Sequence, residues 1–186
     1  MIDDIYNIDV LRLAAHITRI EPLASADAEV ALRSPLCGST IKVQLCIEDG
    51  RVTDYAHEIK ACALGQACAS VMAAQVIGRD EAEIARVREE MEAMLKDGGS
   101  PPDGDWAALA ALAPAKDAKP RHGAILLPFD AVLKGFAEIR AAARTNSPAR
   151  YSASGACLNQ PRLRTSKNPA TRRKMPTPQS LGVKPP

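Results

Sequence analysis

At 186 residues the chain has room for one domain and an extension, and its 46% hydrophobic content can furnish a sizeable core, although six aromatic residues leave most packing to Ala, Leu, Ile and Val. The formal charge of +2 is unevenly spread: Glu138 is the last acidic residue and nine Lys/Arg lie between Arg144 and Lys184, so the first 143 residues carry about −7. No apolar run approaches the roughly 18 residues that span a bilayer and no signal-peptide pattern leads the chain, which excludes a membrane role and points to the cytoplasm.

Residues 5–20 place Ile5, Ile8, Leu11 and Ala15 at helical spacing behind Asp3 and Asp4, predicting an amphipathic first helix. After a break at Pro22 to Asp27 come three runs of strand character. Glu29 to Arg33 is short and mixed. Thr40 to Glu48 alternates Ile41, Val43, Leu45 and Ile47 with polar residues, the pattern of a half-buried strand. Asp49-Gly50 is a two-residue hairpin signal, because both residue types tolerate positive φ, and Arg51 to Lys60 returns as the third strand. The composition then turns Ala-rich, with Leu64, Ala67, Val71, Ala74 and Ile77 forming a helical stripe up to Gly78.

A charged helix is expected over Asp80 to Lys96, stopped by Gly98-Gly99-Ser100-Pro101-Pro102, and a third over Asp105 to Leu112. Pro114 to Pro120 reads as a break. The last helix is expected over Ile125 to Arg144, starting near Leu126 or Leu127 so that Pro128 falls in its first turn. From Thr145 there are seven prolines and no acids, a composition that cannot bury enough surface to offset its ordering entropy; a basic, Pro-rich disordered tail is expected over residues 144–186 behind a domain at 1–143. One helix, three strands and then only helices make the fold class α+β, a three-stranded antiparallel sheet with helices packed on it.

In a reducing compartment the five cysteines are better read as buried thiols or metal ligands than as a disulfide framework. Cys37 sits in Ser34-Pro35-Leu36-Cys37-Gly38-Ser39, a loop held open by Pro and Gly between two strands. Cys62 follows the third strand directly, at the N-terminus of the Ala-rich helix, where free N–H groups and the helix dipole favour thiolate. In such a meander the first inter-strand loop and the end of the third strand can share one edge, so the two thiols can face one another. Cys68, six residues after Cys62, is rotated by roughly 240° on a helix of 3.6 residues per turn, which makes it a weaker ligand candidate. His122 could add an imidazole. Cys46, on a strand face with no partner in sequence, reads as structural, as do His16 and His57 more readily than as ligands, and Cys157 as incidental.

These segments together resemble the NifU/IscU/SufU iron–sulfur scaffold family. Ser34-Pro-Leu-Cys-Gly-Ser before a hairpin resembles its N-P-x-C-G-D segment; Cys62-Ala-Leu-Gly-Gln-Ala-Cys-Ala-Ser-Val-Met resembles its G-C-x-x-S-x-A-S-A-S-x-M helix start. Arg121-His-Gly-Ala-Ile-Leu-Leu-Pro-Phe-Asp-Ala-Val resembles the R-x-x-C-A-x-L-x-W-x-A-L segment that opens its last helix. The match runs over about residues 1–142 and departs at the chemistry: the third family cysteine is Ala124, the family aspartate is Ser39, and the N-P-R-N and L-P-P-V-K motifs are absent.

The resemblance implies a non-enzymatic scaffold or carrier that holds a [2Fe-2S] cluster or iron, with zinc as an alternative, and works with a cysteine desulfurase and acceptor apoproteins. Such sites need about four ligands. Cys37 and Cys62 supply two, leaving Cys68, His122 or the matching pair of a second subunit in a homodimer to complete the set. The other readings are a relative that takes persulfide but holds no cluster, and a degenerate interaction module whose tail touches nucleic acid, the latter disfavoured because the tail has no interleaved aromatics. Hydrolase, kinase and dehydrogenase readings are excluded by the lack of a phosphate-cradling Gly-rich loop and of a paired-carboxylate pattern.

Overall fold

A computed structural model describes residues 5–145 of the chain. The elements, in order, are α1 (Ile8–Ala15), β1 (Ala28–Arg33), β2 (Thr40–Glu48), β3 (Arg51–Lys60), α2 (Ala63–Gln75), α3 (Glu81–Asp97), a 3-10 segment (Gly104–Asp117), a 3-10 turn (Lys119–Arg121) and α4 (His122–Thr145). The expected basic tail, with Cys157, lies outside the described residues apart from the end of α4. No described helix is long and apolar enough to cross a membrane.

The sheet is an antiparallel meander in the order β1-β2-β3. Asp49 and Gly50 both take positive φ, +50° and +76°, as a tight hairpin loop between twisted strands requires. Ile41, Val43 and Leu45 are buried, while Lys42 points to solvent on the opposite face. Helices α2 and α4 cover the inner face, α2 against β3 and α4 against β1 and β2; α1 packs on α2, and α3 on α4. Asp80 caps α3 by accepting from the Glu83 N–H at 2.9 Å, and Gly98 ends it in the left-handed conformation.

Three elements differ from the sequence expectation. The first helix stops at Ala15, because residues 16–20 serve their neighbours instead. The Arg19 carbonyl accepts from the His57 N–H at 2.9 Å, Arg19 Nε donates to the Ala73 carbonyl at 2.9 Å, and the His16 carbonyl accepts from Ser70 Oγ at 3.1 Å. This stretch covers the open edge of β3. The buried face of α1 is also rotated from the expected stripe: Val10 is fully buried and Leu13 and Ala14 pack beside it, leaving Ile8 and Leu11 exposed. Asn7 fixes that rotation, accepting from the Asp9 and Val10 N–H groups and donating from Nδ2 to the Ala111 carbonyl.

The final helix starts at His122, before the expected Leu126, and runs through Pro128. Proline cannot donate to the carbonyl four residues earlier, that of Ala124, and this carbonyl instead lies against Gly65 of α2. Residues expected as a loop, Pro114 to Asp117, belong to a 3-10 segment in which Trp106, Leu109, Leu112 and Ala115 are all buried.

His57 lies inside the fold 3% exposed, its ring 5.3 Å from that of Tyr55, and neither ring nitrogen has a hydrogen-bond partner. Burial pushes its pKa down to about 4. Above about pH 6.5 the ring is neutral both folded and unfolded. As pH falls from there towards 4, the unfolded chain takes up a proton that the folded state refuses, so stability declines across that window. Between pH 7 and pH 5 the expected loss is on the order of 2 kcal/mol. Urea unfolding at pH 7 and pH 5 checks it: the difference should shrink in His57→Leu, and an equal difference in both proteins would assign the effect to other groups.

Candidate functional site: a two-cysteine rim

Register places the site. Arg33 pairs with Thr40 and Thr40 with Lys60, so the β1–β2 loop and the end of β3 stand at the same end of the sheet. The loop is tied across its base by the Ser34 N–H to the Ser39 carbonyl at 2.8 Å and by the Gly38 N–H to the Ser34 carbonyl at 3.0 Å, with Gly38 at φ +72°. Ser34 and Ser39 are buried polar residues, and both hydroxyls are directed at the loop cysteine: Cys37 Sγ lies 3.2 Å from each Oγ. Partial burial pushes the Cys37 thiol up. The hydrogen bonds from Ser34 and Ser39, that of the Ser39 backbone and the charge of Arg121 together outweigh it and hold the pKa below the ordinary thiol value.

Cys62 is the N-cap residue of α2, half-buried, with extended backbone and its carbonyl accepting the first helical hydrogen bond from the Gln66 N–H at 3.0 Å. Two close approaches draw its helix to the loop. A Cβ on Gly123 would stand 2.7 Å from Ser34 Oγ, and one on Gly65 would stand 2.8 Å from Ala61 Cβ and 3.1 Å from the Ala124 carbonyl oxygen. The starts of α2 and α4 thus meet at the rim because each presents a glycine there. Gly65→Val is expected to cost about 2 kcal/mol by overpacking this junction, visible as a lower urea midpoint, and to change the alkylation rate of Cys62. An unchanged midpoint would mean that the junction yields freely.

The other two candidates are placed differently. Cys68 is a free thiol but fully buried, near Tyr55 and Asp130, and burial pushes its pKa far up, with the Asp130 charge adding to the effect. It faces the core rather than the rim, which is the outcome of the 240° rotation from Cys62. His122 is buried at the start of α4, its Nε2 3.1 Å from the carbonyls of both Ala115 and Lys116. An Nε2–H shared between these acceptors ties α4 to the 3-10 segment and occupies that nitrogen. Among the described residues no three His, Cys, Asp or Glu side chains gather where they could hold a metal ion. Among the described residues two soft donors, Cys37 and Cys62, stand at the rim, half of what a four-coordinate zinc or an iron–sulfur cluster takes.

Sequence reasoning missed Ser34, Ser39 and Arg121 as neighbours of the thiol. The Ser-x-x-Cys-x-Ser spacing around a tight loop carried the signal for the two serines; Arg121, 84 positions away, had none.

The arrangement defines a small α+β domain with a meander sheet, helices on one face and a pair of cysteines at one rim. Residues 5–118 match the family model of the NifU-like N-terminal domain, and the chain belongs to that family. A crystal structure of a nitrogen-fixing NifU-like protein (N-terminal) from Brucella abortus is 48% identical, with a TM-score of 0.73 over 75% of this chain and 97% of that one. A putative iron–sulfur cluster assembly scaffold protein for the SUF system from Fervidobacterium islandicum AW-1 shares the fold, at 19% identity and a TM-score of 0.64 over 71% of this chain and 96% of that one. The iron–sulfur cluster assembly scaffold protein IscU of Thermotoga maritima is 40% identical over 60 residues, which span 32% of this chain and 42% of that protein.

Proposed function

We propose that this chain serves iron–sulfur cluster assembly as a scaffold or carrier, taking sulfur and iron as cargo at Cys37 and Cys62, with a cysteine desulfurase as sulfur source and apoproteins as acceptors. The observation that carries the reading is the pair of free cysteines brought to one rim of the sheet, in a family whose relatives include cluster-assembly scaffolds. Soft thiolates suit iron and zinc. Because the described residues offer two donors at the rim, we infer that a held cluster takes its remaining ligands from a second copy or from the protein that receives it.

The same shortage favours a second reading, in which Cys37 takes sulfur and no cluster is held. In that step the Cys37 thiolate attacks the outer sulfur of the donor's persulfide, a sulfur–sulfur bond forms on Cys37, and the donor cysteine leaves as thiolate with its electron pair. No external oxidant or reductant is consumed. Anaerobic loading with iron, cysteine and a desulfurase separates the two readings. Visible absorption bands with acid-labile sulfide support the scaffold, whereas a mass increase of one sulfur on Cys37 without bands supports the acceptor. Neither signal would overturn both.

A further inference from the structure

Of the large apolar side chains left exposed on the described domain, Leu36 is the most exposed, at 78%, and it immediately precedes Cys37. The loop that carries it is not loose: Ser34 and Ser39 are buried at its base and backbone hydrogen bonds close it. A fixed apolar tip costs little entropy to dock, and a leucine entering a partner's socket desolvates fully. Beside the tip stand two cations. Arg33 precedes the loop, with a terminal nitrogen 3.7 Å from where a Gly38 Cβ would be, and the charge of Arg121 acts on Cys37. Both are exposed, and neither has an ion pair among the described residues. Elsewhere on the domain Arg51, Arg88 and Arg140 are each held by a carboxylate. A domain that is acidic over its first 143 residues therefore keeps uncompensated positive charge beside its exposed leucine.

We propose that Leu36, flanked by Arg33 and Arg121, is the docking tip for the protein that delivers sulfur to Cys37, and that this partner presents an apolar socket edged by carboxylates. The inference rests on the proposed receipt of sulfur at Cys37 and adds how the donor is recognised. A small persulfide needs no such tip. A protein donor does, since the outer sulfur of its persulfide must reach a half-buried thiol held between two hydroxyls.

The test compares two sulfur sources on the full chain, glutathione persulfide and a purified bacterial cysteine desulfurase charged with radiolabelled cysteine. Leu36→Asn, polar but uncharged beside the thiol, should receive sulfur from the desulfurase at least tenfold more slowly than wild type, while labelling of Cys37 by glutathione persulfide stays unchanged. That second arm also verifies the fold of the site. Arg33→Glu should slow desulfurase-dependent transfer and flatten its dependence on salt, because exposed charges act through a screened field. Desulfurase-dependent labelling of Leu36→Asn at the wild-type rate would overturn the docking tip and leave sulfur receipt standing. Wild-type protein that takes label at Cys37 from neither source would overturn sulfur receipt itself, and with it the tip. Labelling from glutathione persulfide alone would overturn protein delivery.

Discussion

Cys37→Ala is expected to reduce the iron and acid-labile sulfide retained after anaerobic loading to the background of an unloaded control, and Cys62→Ala to do the same, while Cys68→Ala retains the wild-type amount. Donor number and access set these outcomes. A rim that supplies two thiols loses half of its donors with either substitution, and no third His, Cys, Asp or Glu gathers with them among the described residues to compensate. Cys68 has no solvent-accessible surface, and burial holds it as the neutral thiol, so it is neither reachable nor in the form that binds metal. Its loss should register in stability alone, at about 1 kcal/mol for a small cavity in the core. Iron and sulfide assays per chain, with urea unfolding alongside, check all three. Equal stoichiometry in Cys37→Ala and wild type would remove the rim from the chemistry, and loss of iron in Cys68→Ala at unchanged stability would put the site in the wrong place.

The rim was readable from sequence to the extent that it follows from strand pairing. The alternation from Thr40 to Glu48, the Asp49-Gly50 turn and the return to Lys60 specify a hairpin whose ends are fixed, and β2 and β3 occupy those ranges. A third strand before them places its connecting loop at the end where β3 finishes. Geometry of this kind depends on local signals and on a period of two, so a single sequence carries it. What the loop does with its hydroxyls is also local, and the serine spacing exposes it in retrospect. The contact of Gly65 with Ala124 and the charge of Arg121 near Cys37 are set by how α4 docks, through residues 59 and 84 positions from their partners, and no local pattern announces such distances. The same limit explains α1. Its hydrophobic residues fit more than one helical stripe, and the one that is buried was chosen by Asn7 reaching Ala111 and by α2 beneath it.

Trp106→Ala is expected to destabilise the domain by about 3 to 5 kcal/mol. The 3-10 segment shows why. Trp106, Leu109, Leu112 and Ala115 recur every third residue, and a helix of about three residues per turn keeps that line on one side. At about 100° per residue an α-helix would turn each successive member away by roughly 60°, or roughly half a revolution over the four, exposing one end of the line. Burial of all four therefore selects the tighter helix, despite its poorer hydrogen bonds, and the period of three was present in the sequence. Trp106 anchors the line. It is 2% exposed, its ring lies 5.8 Å from that of Phe129 on α4, and its Nε1–H donates to Glu83 Oε1 at 3.0 Å. That oxygen also accepts from Arg79, which bridges to Asp105 at 2.5 Å, so the indole closes a network between the 3-10 segment and the start of α3. Trp106→Phe should keep most of the packing and lose the hydrogen bond, for a cost of about 1 to 2 kcal/mol. Because His122 reaches the Ala115 and Lys116 carbonyls at the far end of the same line, Trp106→Ala should also loosen the start of α4, and with it the Gly123 contact to Ser34. Faster hydrogen exchange at residues 122–126 in Trp106→Ala than in Trp106→Phe, under conditions where both stay folded, is the expected sign; equal exchange would show that the rim is held independently of the segment behind it.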